Sequence, residues 1–223
     1  MSDPAGHDII RDMLALDALD ALPPASAGGR RMPQRTSNRV AALFLGLPPA
    51  EVRAALLALR FSKHEVAWSV ALAERWRGVG VEIGAGLAAG APDDATVRQW
   101  LSALGRLHAG AFLRVAGARW AARRAAGEDA PGAADVRRLY RRMRGSLFRD
   151  PLDVADLAIG GDELRAAGIP PGAIYAKILH ALLGQVLDVP ARNTPEALLA
   201  EVPRIVAALP DPVPTRTPHK PEP

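Results

Sequence analysis

Val97, Trp100, Leu101, Leu104 and Leu107 recur at steps of three and four residues, the one-sided apolar stripe of a helix. The alternation that marks a strand is absent from this stretch, and the helical spacing returns along the chain. Ile9, Ile10, Met13, Leu14, Leu16, Leu19 and Leu22 follow it and stop at Pro23-Pro24. Val52, Ala55, Leu56 and Leu59 follow it, as do Val66, Val70, Leu72 and Trp76, and Val136, Leu139, Tyr140, Met143 and Leu147. Ile174, Ile178, Leu179, Leu182, Leu183 and Val186 form another stripe. Start signals agree. Ser37 or Asn38 is placed to cap a helix over 39–46, Pro49 suits a first helical position, Asp93 or Asp94, Asp162 and Thr194 suit caps, and Asp135 starts a two-faced helix. Ser62-Lys63-His64-Glu65 reads as a capping box. The chain is therefore expected to be all-α. Only 4% of it is aromatic, with alanine and leucine dominant, which favours helices packed at close range.

Glycine and proline punctuate this pattern into an elongated multi-helix array. Residues 1–35 read as a helix and loop, 36–150 as a helical body and 151–209 as a helical tail. Gly168 ends a short helix in that tail, and Pro170-Pro171-Gly172 launches the next. Six prolines in the last fourteen residues predict a disordered segment over 210–223. No run approaches the ~20 apolar residues of a membrane span. The N-terminus lacks a basic and then apolar leader, so the chain is expected in the cytoplasm. Without cysteine there is no disulfide, thiolate nucleophile or Cys-ligated zinc.

The net charge of +4 is unevenly spread. Between Leu101 and Asp150 eleven arginines face four acidic residues, a local +7, so the remainder sums to −3. Lysine appears only at Lys63, Lys177 and Lys220, a bias that explains arginine over lysine but not the clustering. On the helix starting at Asp135, arginines Arg137, Arg138, Arg141, Arg142 and Arg144 leave the apolar stripe clear. Guanidinium groups pair bidentately with phosphate, so such a face suits a nucleic-acid backbone without reading its sequence. A solvated helix face accounts for the same pattern equally well.

Other constellations carry less. Val79–Gly90 contains Gly84-Ala85-Gly86 and Gly90, a relative of the dinucleotide fingerprint. The second strand that fingerprint needs does not follow, so the segment reads as a helix-linking glycine loop and no cofactor is expected. His7, His64, His108, His180 and His219 form neither HxxxH nor HExxH, and no metal site is expected. No nucleophile elbow, P-loop or carboxylate pair is present.

Leu59-Arg60-Phe61-Ser62-Lys63-His64-Glu65 resembles the "LRFS-x-x-E" helix start in the body of bacterial CCA-adding tRNA nucleotidyltransferases and poly(A) polymerases. Val97-Arg98-Gln99-Trp100-Leu101 is similar to their "VRRFL" helix. Asp156-Leu157-Ala158-Ile159-Gly160-Gly161-Asp162-Glu163-Leu164, then Gly168-Ile169-Pro170-Pro171-Gly172, resembles the tail signature "DLxIxGxDLxxxGIxPG". Ile178-Leu179, Leu182-Leu183, Asn193-Thr194 and Leu198-Leu199 continue it, with order and spacing agreeing over about 55–205. His7-Asp8-Ile9-Ile10-Arg11-Asp12 is similar to the opening of the family's HD-type helices, with Asp12 where a histidine would stand. Arg39-Val40-Ala41-Ala42-Leu43-Phe44-Leu45 resembles "RxAALLHD" without its His-Asp pair, so residues 1–35 read as degenerate HD-like. The catalytic head, with its GGxxRD turn and paired aspartates, has no counterpart. Gly160-Gly161-Asp162 lies in the tail signature instead.

The resemblance implies a tRNA-binding body and tail that grips the backbone of the acceptor stem and elbow. It is expected to be inactive alone and to be partnered by a separate head domain or to derive from a longer enzyme. The RNA-binding residues expected are those of the arginine face, Arg137, Arg138, Arg141, Arg142 and Arg144, with Lys177 and Gly172 at the helix start after Pro170-Pro171. A stand-alone helical interaction protein that no longer handles RNA is the alternative.

Overall fold

A computed structural model describes residues 34–209, which are helical with no strand among them. The helix expected over 8–22, the degenerate HD-like segment, most of the loop over 25–35 and the proline-rich segment over 210–223 lie outside the described residues. The chain divides into two compact units between Leu152 and Asp153.

The first unit contains α1 (Gln34–Phe44), α2 (Pro49–Ala58), α3 (Lys63–Arg75), α4 (Val81–Ala89), α5 (Asp94–Leu104), α6 (Arg106–Ala125) and α7 (Ala133–Arg149). Helix α3 packs on α1 and α2 around Val52, Leu56, Val66 and Val70. Helix α6 is the central element: Ala109, Phe112, Val115, Ala116, Trp120 and Ala122 are all buried, so its surface is covered nearly all round. It meets α1 and α3, and also α5 and α7. Its small alanines are what let so many helices approach it.

Two starts have the expected chemistry. At α3 the Ser62 hydroxyl accepts from the Glu65 N–H at 3.3 Å, and Glu65 accepts from the Ser62 N–H at 3.0 Å. The Ser62 hydroxyl also donates to the Glu65 carboxylate at 2.6 Å, and this bond first, with the Ser62 N–H second, holds the Glu65 carboxyl below the usual range. At α5 Asp93 accepts from the Thr96 N–H at 2.7 Å. The first helix departs from expectation. It begins at Gln34, so Ser37 and Asn38 are not caps but buried positions within it. Asn38 Oδ1 accepts from the indole N–H of buried Trp68 at 3.0 Å, and a buried indole must find such a partner.

The glycine-rich segment also differs from the expected loop. A wide turn over Trp76–Gly80, irregular only at Gly78, runs straight into α4, and Gly90 at φ 140° ends it. The glycines serve packing. A Cβ at Gly86 would lie 2.7 Å from the ring of Trp100, and one at Gly80 would lie 3.0 Å from Phe112. Glycine costs a helix ~1 kcal/mol against alanine, and here aromatic rings occupy the space it leaves.

The second unit contains α8 (Gly161–Ala166), α9 (Ile174–Asp188) and α10 (Pro195–Ala208). Its core joins Ile159, Leu164, Ile178, Leu182, Leu198 and Val202. Asp162 does not cap α8; it sits inside the first turn and pairs with Arg165 at 3.4 Å. Glu163 does the capping, accepting from the Gly160 N–H at 2.7 Å, which holds its carboxyl below the usual range. Gly168, at φ 82°, closes α8 with the paired bonds Ile169 N–H to Leu164 O and Gly168 N–H to Arg165 O. Thr194 caps α10 by accepting from the Ala197 N–H at 3.3 Å.

Asn193 clamps this unit. Its Oδ1 accepts from the Ala158 N–H at 2.8 Å, and its Nδ2 donates to the Asp156 carbonyl at 2.9 Å. Two backbone groups 35 and 37 residues away are thus fixed by one amide. Asn193→Ala is expected to lower stability by about 2 kcal/mol, roughly one for each bond lost. A fall in the urea midpoint with faster exchange of the Ala158 amide would show it. A midpoint equal to wild type would contradict it.

Candidate nucleic-acid interface

Helix α7 buries Leu139 and Met143, while Val136, Tyr140 and Leu147 are half-buried. At about 100° per residue, Arg137, Arg141 and Arg144 lie on the side opposite Leu139. All three are exposed, and none has an ion pair or hydrogen bond among the described residues. They form a stripe at i, i+4 and i+7, about 10 Å long along the helix axis.

The other two arginines of this helix fall elsewhere. Arg142 lies only ~60° from Leu139, beside the packed seam. Its Nη1 donates to the Pro92 carbonyl at 2.7 Å, and its Nη2 meets Asp94 Oδ1 at 2.6 Å. It ties α7 to the start of α5, which corrects the expectation that all five arginines share one open face. Arg138 sits on the flank, 3.5 Å from Asp135 on the preceding turn. Together Arg138 and Arg142 line a notch of about 20 Å³ against Leu87 and Pro92, room for a water and not for a ligand.

The wider arginine cluster is also mostly structural. Arg106 donates to the carbonyls of Leu147 and Asp150, covering the end of α7. Arg124 donates to the Pro131 carbonyl, and Arg123 pairs with Glu128 at 2.9 Å. Arg119 is buried, as is Arg98 just ahead of the cluster. From outside the cluster, Arg75 performs the same service at the end of α5, donating to Leu104 O at 2.6 Å. The last carbonyls of a helix have no partner within it, and a long guanidinium side chain can reach them. These bonds leave the charges in place but occupy the side chains, so the arginines set in a row on one exposed helix face are those of the stripe on α7.

Lys177 and Gly172 belong to the second unit. Gly172 is exposed at φ 156° just before α9, and Lys177 is exposed in its first turn. Tyr175 shapes this turn, its hydroxyl donating to the Ile169 carbonyl at 2.9 Å.

His64, Trp68 and His108 form the one ring cluster containing histidines among the described residues, with Trp68 and His108 centroids 4.9 Å apart. Burial, and then the nearby Arg75 charge, pushes the His108 imidazole below its ordinary range. No three His, Asp or Glu side chains gather closely enough to hold a metal ion, and no helix is long and apolar enough to cross a membrane, again among the described residues. No family model, curated protein or solved structure matches this chain.

Proposed function

We propose that this chain is the tRNA-holding helical part of a nucleotidyltransferase system of the CCA-adding type, acting in the cytoplasm and needing a separate head domain for catalysis. The observation that carries the reading is the exposed stripe Arg137, Arg141 and Arg144, unpartnered among the described residues. Three guanidinium groups in a row, backed by a packed helix, suit the phosphates of an RNA stem, whose deep groove side chains do not read. The motif resemblance over about 55–205 supplies the choice of tRNA among RNAs. Much of that string performs structural tasks in this chain, as Glu163, Gly168 and Asn193 do. Such tasks suit a tail domain that presents a surface and conducts no chemistry.

Salt dependence tests the reading. Each phosphate neutralised contributes a slope of about −0.9 in log K against log salt, so three contacts give about −2.7. Affinity for tRNA is expected to fall about 40-fold between 50 and 200 mM monovalent salt. A flat salt response would remove the backbone contacts, and with them this function. The chain would then stand as a helical interaction module.

A further inference from the structure

Phe148 continues the arginine stripe. It stands four residues beyond Arg144, completes the series i, i+4, i+7, i+11, and points about 180° from Leu139. Its side chain is 85% exposed. A lone exposed apolar residue is ordinary, but this one ends a row of three unpartnered cations on the same face.

The backbone beneath it is tied down. Arg106 reaches across from α6 to the carbonyls of Leu147 and Asp150, the residues flanking Phe148 and Arg149. The Asp150 N–H donates to Ser146 O at 2.9 Å, and the Ser146 hydroxyl donates to the Asp150 carboxylate. Arg149 turns back along its own helix to the Gly145 carbonyl at 3.3 Å. The last turn of α7 is thereby fixed, so the ring projects from a rigid base. A rigid aromatic face loses little conformational entropy when a flat group settles on it.

We propose that Phe148 is a stacking platform for an unpaired nucleobase adjoining the stem whose phosphates the arginine stripe holds. The inference rests on the RNA reading above and adds to it the structure of the preferred RNA: duplex next to single strand. Every base offers a π-face, so the platform recognises an unpaired base without reading its identity. Charge complementarity along the stripe favours this occupant over an apolar protein surface, which would leave three guanidinium groups facing it without partners.

Two RNA hairpins of the same stem test this, one blunt and one with a short unpaired 3′ extension, titrated against the full chain. Wild type is expected to bind the extended hairpin about tenfold more tightly. A 2-aminopurine placed in the extension is expected to lose fluorescence on binding. Phe148→Ala removes both the preference and the quenching while leaving blunt-hairpin affinity and melting temperature unchanged, and Phe148→Trp retains the preference. If Phe148→Ala still discriminates as wild type does, or weakens both hairpins equally, the platform is overturned and the stripe reading stands. If wild type binds neither hairpin, both readings fall.

Discussion

Replacing Gly86 by valine is expected to destabilise the first unit by about 3 kcal/mol, the upper part of the range for forcing extra carbons into a packed core. The first added carbon alone would lie 2.7 and 2.8 Å from two ring atoms of Trp100, which is buried against α4. That indole cannot swing into solvent as the end of a long side chain could, so ring and helix must both shift. Gly110→Ala in α6 provides the contrast. A Cβ there meets nothing within 4 Å, and the change is expected to raise stability by up to about 1 kcal/mol through helix propensity alone. Urea melts followed by tryptophan fluorescence separate the two cases. Equal stability of Gly86→Val and wild type would mean that the segment is the tolerant loop its glycines suggest.

That segment shows where the sequence could be read and where it could not. The helices with one-sided stripes, α5, α7 and α9 among them, are legible because packing on one face leaves a period of 3.6 in the side chains. The caps Ser62, Asp93 and Thr194 are legible because a side-chain oxygen three residues before a free N–H is a local arrangement. Gly80 and Gly86 belong to the other kind. They look like a loop because the reason for them lies in Phe112 and Trp100, residues brought beside them only by folding. Asn38 misleads in the same way, since its partner Trp68 is 30 positions distant.

The candidate interface divides along the same line. Counting arginines finds helix α7 but cannot tell a cation facing water from one fastening a helix end. The register could have narrowed it: Arg142 sits ~60° from Leu139, whereas Arg137, Arg141 and Arg144 sit opposite. Phe148 is an apolar residue next to the stripe residue Leu147, and only its register, opposite Leu139, places it with the arginines.

Charge reversal on the stripe tests the central claim most directly. Arg137, Arg141 and Arg144 are changed together to glutamate, and tRNA affinity is measured at low salt with circular dichroism on the same samples. Each is exposed and unpartnered, so helix content and melting temperature are expected to stay as in wild type. Loss of three charge-assisted contacts, each replaced by repulsion, is expected to weaken binding by about 100-fold or more. Arg142→Ala is expected to do the reverse, lowering stability by loosening α7 from Pro92 and Asp94 while affinity of the folded protein changes little. Undiminished tRNA binding by the folded triple variant would contradict the account and return the stripe to a solvated helix face.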